Sequence, residues 1–205
     1  MQSVSLTLVA DGTSDRRMLM PLIEALMDQY CPVPFESRIA DWLPEGTKTT
    51  ADRVKATVRF YPCDLLFVHR DAEGAEPAQR EAEIRDGLEG LPVAPSLICV
   101  VPVRMTEAWL LTSEIAIRAA VGNPQGVAAL RLPRLAKVES VDAKAVLLRA
   151  LELAKDLGPH RNRRFRPEAY RHRVAELLGD LTQLRRLPSF KHLESQVRSH
   201  FLPRT

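Results

Sequence analysis

The chain has 205 residues, 45% of them hydrophobic, with a net charge of +3. That is enough apolar material for one domain with a packed core, and it argues against a disordered chain. The longest apolar runs, such as Leu97 to Val101, fall far short of the roughly 20 residues that a membrane helix needs.

The start of the chain lacks the basic segment of a secretory leader and runs directly into a strand pattern, so a cytoplasmic protein is expected. Cys31, Cys63 and Cys99 stand far apart without a Cys-x-x-Cys pair. They read as reduced core thiols rather than as a disulfide framework or a zinc site.

In chain order, residues 3–10 alternate and then turn apolar, as a strand entering a core does. Asp11-Gly12-Thr13-Ser14-Asp15 reads as a turn into a helix, with Thr13 or Ser14 as N-cap. Met18, Leu19, Leu22, Ile23, Leu26 and Met27 recur at helical spacing between Arg16 and Tyr30. Residues 35–42 suggest a second strand and Thr50 to Phe60 a second helix. The run from Asp64 to His69 after Pro62 suggests a buried parallel strand. It ends in the acidic turn Arg70-Asp71-Ala72-Glu73-Gly74. A charged helix over 76–89 follows, then a fourth strand from Ser96 to Val103 running into Glu107. Strands alternating with helices predict an α/β fold, a Rossmann-like parallel sheet flanked by helices.

After about Ile115 strand signals stop. The segments 141–157, 167–184 and 189–201 read as helical, broken at Gly158-Pro159 and Pro188. The expected organisation is an α/β core over 1–115 with a helical extension over 116–205 packed on it. Trp42 and Trp109 are expected in the core. With 5% aromatics, a base-stacking single-strand binder is disfavoured.

Three strand ends deliver carboxylates: Asp11 and Asp15, Asp71 and Glu73, and Glu107. In an open parallel sheet, ligands bind where the strands' carboxyl ends meet the loops. Acids gathered there repel unless a cation neutralises them, and oxygen ligands favour Mg²⁺ or Mn²⁺. Each acid also has a plainer reading: Asp15 and Glu107 as first-turn helix acids, Asp71 and Glu73 as turn residues. His69 beside Asp71 reads as structural rather than as a general base. Six arginines lie between His160 and Arg173, including Arg161, Arg163, Arg164 and Arg166. They suit a nucleic-acid backbone, or equally a solvated helix start. No phosphate-binding P-loop or Gly-x-Gly-x-x-Gly run is present.

The acid-Gly-x-x-Asp turn after the first strand, with Asp71-Ala-Glu73 after a later one, resembles the Toprim fold. More narrowly, five segments resemble the small Toprim-like proteins of the DUF4276 family, relatives of the nuclease domain of the overcoming-lysogenization-defect (OLD) proteins. They are Asp11 to Arg17, Phe67 to Glu73, Val101 to Leu111, Val141 to Lys144 and Leu184 to Phe190. The resemblance implies a metal-dependent nuclease with Asp11, Asp15, Asp71, Glu73 and Glu107 as metal ligands. It also implies Asp11, Asp71, Glu107 and Lys144 as the catalytic set, with Lys144 steadying charge on phosphate. Two departures from the Toprim pattern are visible: Asp11 stands where that pattern usually has Glu, and Glu73 where it usually has the second Asp of Asp-x-Asp. A catalytically silent partner of an ATPase is the other function the resemblance implies. A phosphatase reading is weak because Thr13 stands two residues after Asp11.

Overall fold

A computed structural model of the chain describes residues 3–156 and 164–202. Four strands, β1 (Val4–Val9), β2 (Phe35–Ile39), β3 (Leu65–His69) and β4 (Ser96–Val100), form one all-parallel sheet in the order β2-β1-β3-β4. This is the α/β architecture expected from the alternation of strands and helices. β3 is buried at all five positions, as a central parallel strand must be. No helix among the described residues is long and apolar enough to cross a membrane.

The connections divide the helices between the two faces. On one face lie α1 (Thr13–Tyr30) and the C-terminal helices, in one continuous apolar cluster that includes Leu8, Phe67, Met18, Ile23, Leu151 and Phe190. On the other lie α2 (Thr50–Phe60) and α3 (Pro77–Asp86), over Val9, Val54, Leu66, Val68 and Ile84. α1 buries the six apolar residues picked out by spacing. α2 starts at a capping box in which Asp52 N–H donates to Thr49 Oγ1 at 3.0 Å and Thr49 N–H to Asp52 Oδ2 at 3.1 Å.

After β4 come α4 (Glu107–Leu110), α5 (Glu114–Ala120), α6 (Ala143–Lys155), α7 (Arg171–Glu176) and α8 (Pro188–Phe201). The helical segment expected over 167–184 is two pieces, a 3₁₀ turn at Pro167–Tyr170 and the short α7, with non-helical chain at Gly179-Asp180. These helices share α1's apolar cluster. The extension therefore completes the core on that face. Two of the segments that carry the family resemblance meet here. Trp109 Nε1–H donates to Ser189 Oγ at 2.8 Å, and its ring meets Phe190 edge-on at 5.2 Å between centroids.

The second tryptophan corrects an expectation. Trp109 is fully buried, but Trp42 is 60% exposed. β2 ends at Ile39, so Trp42 lies in the following loop, edge-on to Phe60 at 5.7 Å.

Candidate functional site at the carboxyl edge of the sheet

The direction of the connections reverses between β1 and β3. α1 leaves β1 across one face toward β2, while α2 returns across the other toward β3. The carboxyl ends of β1 and β3 thus mark the topological switch point, the place where open α/β sheets hold ligands. Asp11, Asp15, His69 and Asp71 all stand at these two strand ends.

Strand parity then sorts the side chains. Val9 faces α2 and α3, so Asp11, two residues on, turns the same way. The register pairs Val9 with Val68, and its continuation sets Asp11 beside Arg70. Asp11 Oδ2 accepts from Arg70 Nη1 at 3.2 Å, and Oδ1 from Arg53 Nη1 of α2 at 2.8 Å. Arg53 also donates to the carbonyl oxygen of Ala10. Arg70 Nε reaches Glu83 at 3.1 Å, and Arg80 Nη1 meets Glu83 Oε1 at 2.9 Å. This side of the edge is an ion network in which three guanidinium groups meet two carboxylates.

The α1 side is built differently. Gly12 is the N-cap of α1 and carries no capping side chain, so neither Thr13 nor Ser14 fills that role. A Cβ on Gly12 would collide with Asp15 Oδ2, so the Asp15 carboxylate lies back over the turn. His69, the last residue of β3, is buried at 1% exposure. Its Nε2 lies 3.1 Å from Asp71 Oδ1 and 3.1 Å from Thr106 Oγ1, while its Nδ1 has no hydrogen-bond partner. Residues two apart on an extended segment share a face, and that is why His69 and Asp71 meet.

Glu107 opens α4, is buried at 4% exposure, and ion-pairs with Arg171 of α7. Burial pushes the Asp15 carboxyl above its ordinary range. His69 and Arg171 oppose the shift, and the nearby Asp71 and Glu107 carboxylates reinforce it. Asp15 therefore feels both Asp71 and Glu107, which come from two other chain segments.

Glu73 stands apart. It is exposed in a turn with φ of 51°, followed by Gly74 at 91°. Lys144 is exposed at the start of α6, and its backbone N–H donates to Met105 Sδ at 3.2 Å, against the β4–α4 connection. Arg164 and Arg166 are exposed, and Arg161 and Arg163 lie outside the described residues. Beside the first turn of α1 opens a cleft of about 620 Å³, lined among others by Thr13, Ser14, Arg17, Arg171 and His172.

The donor set can be tested against a divalent cation. Asp15, Asp71 and Glu107 offer the hard oxygen donors that such an ion takes, and burial with the acidic neighbours raises the Asp15 carboxyl. Asp11 is held instead by Arg53 and Arg70, and among the described residues no three His, Cys, Asp or Glu side chains, Asp15, Asp71 and Glu107 included, are grouped as they stand to hold one ion, so these acids would have to draw together around it. Arg171, Arg53, Arg70 and Thr106 were not singled out individually from the sequence. Arg70 was findable, because a basic residue next to Asp71 on a strand end must face the other way.

Comparison with protein families, curated proteins and solved structures gives no match for this chain.

Proposed function

We propose that the protein is a metal-dependent phosphodiester hydrolase of Toprim type, acting on DNA or RNA with Mg²⁺ or Mn²⁺. The observation that carries this reading is the coupling of Asp15 with Asp71 and Glu107 at the switch point. Carboxylates crowded into a partly buried edge favour a cation over bulk water.

Asp15, Asp71 and Glu107 are the side chains that would hold the cation, which when bound supplies Lewis acidity to a phosphoryl oxygen. His69 contacts Asp71 from within the core and fixes that carboxylate's orientation. Arg17, Arg171 and the uncapped first turn of α1 line the cleft and present positive charge to a phosphate. Lys144 adds a point charge from the start of α6, and Arg164 and Arg166 extend the basic surface along the backbone of the nucleic acid.

One observation favours a second reading, a Toprim-like binding partner of an ATPase without turnover. Asp11 and Glu107 are already neutralised by guanidinium groups. Incubation with supercoiled plasmid and with single-stranded RNA, with Mg²⁺ or Mn²⁺, separates the two. The hydrolase reading predicts metal-dependent cleavage that falls about 100-fold or more in Asp71→Ala. Cleavage absent with either metal, or unchanged by Asp71→Ala, refutes it.

A further inference from the structure

The two edges of the sheet are finished differently. On β4, the side-chain amide of Gln196 from α8 takes the place of a neighbouring strand, accepting from Cys99 N–H at 3.0 Å and donating to Cys99 C=O at 2.9 Å. On β2 no such cover exists among the described residues. The strand packs chiefly on β1 and α1, and Glu36, Ser37 and Arg38 are exposed.

The direction of β2's backbone groups follows from its bonds to β1. Pro34 C=O accepts from Val4 N–H, and Ala40 N–H donates to Leu8 C=O. Even-numbered residues therefore face β1, and Phe35 and Ser37 present both N–H and C=O outward while Ile39 presents its N–H, its C=O already accepting from Asp41 N–H at 3.0 Å. An uncapped row of this kind is a template for another strand.

We propose that the occupant of this edge is a second copy of the same chain, joined antiparallel across a two-fold axis at Ser37 to make one continuous eight-stranded sheet. Charge order along the strand argues for a second copy over any other partner. The sequence is Phe35-Glu36-Ser37-Arg38-Ile39. A two-fold axis at Ser37 sets Glu36 of each copy opposite Arg38 of the other, and Phe35 opposite Ile39. Such an interface is self-complementary, as two-fold symmetry demands.

The ladder geometry agrees independently. The outward-facing odd residues become the hydrogen-bonded pairs. Glu36 and Arg38 then fall on the non-hydrogen-bonded pairs, where opposing side chains come closest. A parallel or shifted pairing sets like charges together or leaves both charges unmatched. Exposed apolar residues flank the strand, Val33 at 37% and Trp42 at 60%, and they give the interface area beyond the ladder itself.

The test is the mass of the intact protein in solution by sedimentation and light scattering at low salt, with circular dichroism to check each variant's fold. The wild type is expected as a dimer. Arg38→Glu and Glu36→Arg are each expected as monomers, because each places two like-charged pairs across the axis. Mixing these two variants is expected to restore a dimer, since a strand carrying two arginines then meets a strand carrying two glutamates. Amide exchange on the wild type gives a reading that needs no variant. Phe35, Ser37 and Ile39 are expected to be protected at high concentration and to lose that protection on dilution. A wild type that stays monomeric at about 100 μM, well above the micromolar range in which modest interfaces assemble, overturns the proposal. So does a dimer indifferent to both charge reversals.

Discussion

Asp64 and Asp15 belong to the two opposite ends of one sheet, and their surroundings push them in opposite directions. At the amino end, Asp64 Oδ2 accepts from Ser5 N–H at 2.8 Å and from Ser5 Oγ at 2.6 Å. These donors hold its carboxyl below the usual range. At the carboxyl end, Asp15 is partly buried near Asp71 and Glu107, and its carboxyl is held above that range. An acid used to tie strands together is surrounded by donors. Acids gathered with one another work against the fold until a cation joins them. The difference marks which end of the sheet is architecture and which is the candidate site.

The largest expected effect breaks the comparison at the buried pair. Arg171→Ala leaves Glu107, whose side chain is 5% exposed, without its counter-charge. Stability in urea denaturation should fall by about 3–5 kcal/mol. Glu107→Gln with Arg171→Met in the same chain should recover most of that loss, because no buried charge is then left alone.

A change of opposite sign sharpens the contrast at Asp15. A carboxyl whose folded-state pKa is raised contributes stability below its ordinary pKa of 3.8 and loses it as pH rises through the folded value. At pH 7 Asp15→Asn should therefore raise the melting temperature in metal-free buffer while impairing cation binding. Thermal melts across pH should show the gain shrinking as pH falls toward 4. A lower melting temperature for Asp15→Asn at pH 7 would mean that the acidic edge is not strained.

The smallest effect is at Asp64. A depressed pKa contributes stability above the ordinary value of 3.8 and loses it as pH falls through the lower, folded-state value. Asp64→Asn should lower the melting temperature slightly at pH 7, with a loss that fades in acid. The same melts on this variant check it, and equal signs for Asp15→Asn and Asp64→Asn would dissolve the distinction between the two ends.

Much of the sheet was legible from local pattern. The alternation in residues 3–10, the wholly buried β3 and the helical spacing in α1 each answer to a burial period that neighbours along the chain express. Where β2 stops was not legible. Ala40 and Leu43 continue an apolar pattern into the loop that packs on the α2 face, and Trp42 is carried outward with it. The end of the chain misled for a related reason: Leu177, Leu178, Leu181 and Leu184 keep a helical rhythm while the backbone around Gly179 leaves the helix, and the side chains still find the core.

At the site, the residue types and strand ends were readable, but their sorting into two networks was not. That sorting depends on the register of β1 against β3, which sets Asp11 beside Arg70 and leaves Asp71 with His69. Register is a property of two segments some 60 residues apart, as the Ser5–Asp64 contact at a separation of 59 shows. Arg171 was visible within an arginine-rich segment. Nothing nearby in sequence indicated that it would turn inward to Glu107.

Uptake of a hard divalent ion by the acids of the carboxyl edge is the property on which the functional reading depends. Calorimetric titration of the full chain with Mn²⁺, beside Asp15→Asn and Asp71→Ala, measures this. Saturable binding by the wild type that is lost or at least tenfold weaker in both variants, a difference of about 1.4 kcal/mol, is the predicted result. Absence of saturable binding, or equal affinity in all three proteins, would contradict it.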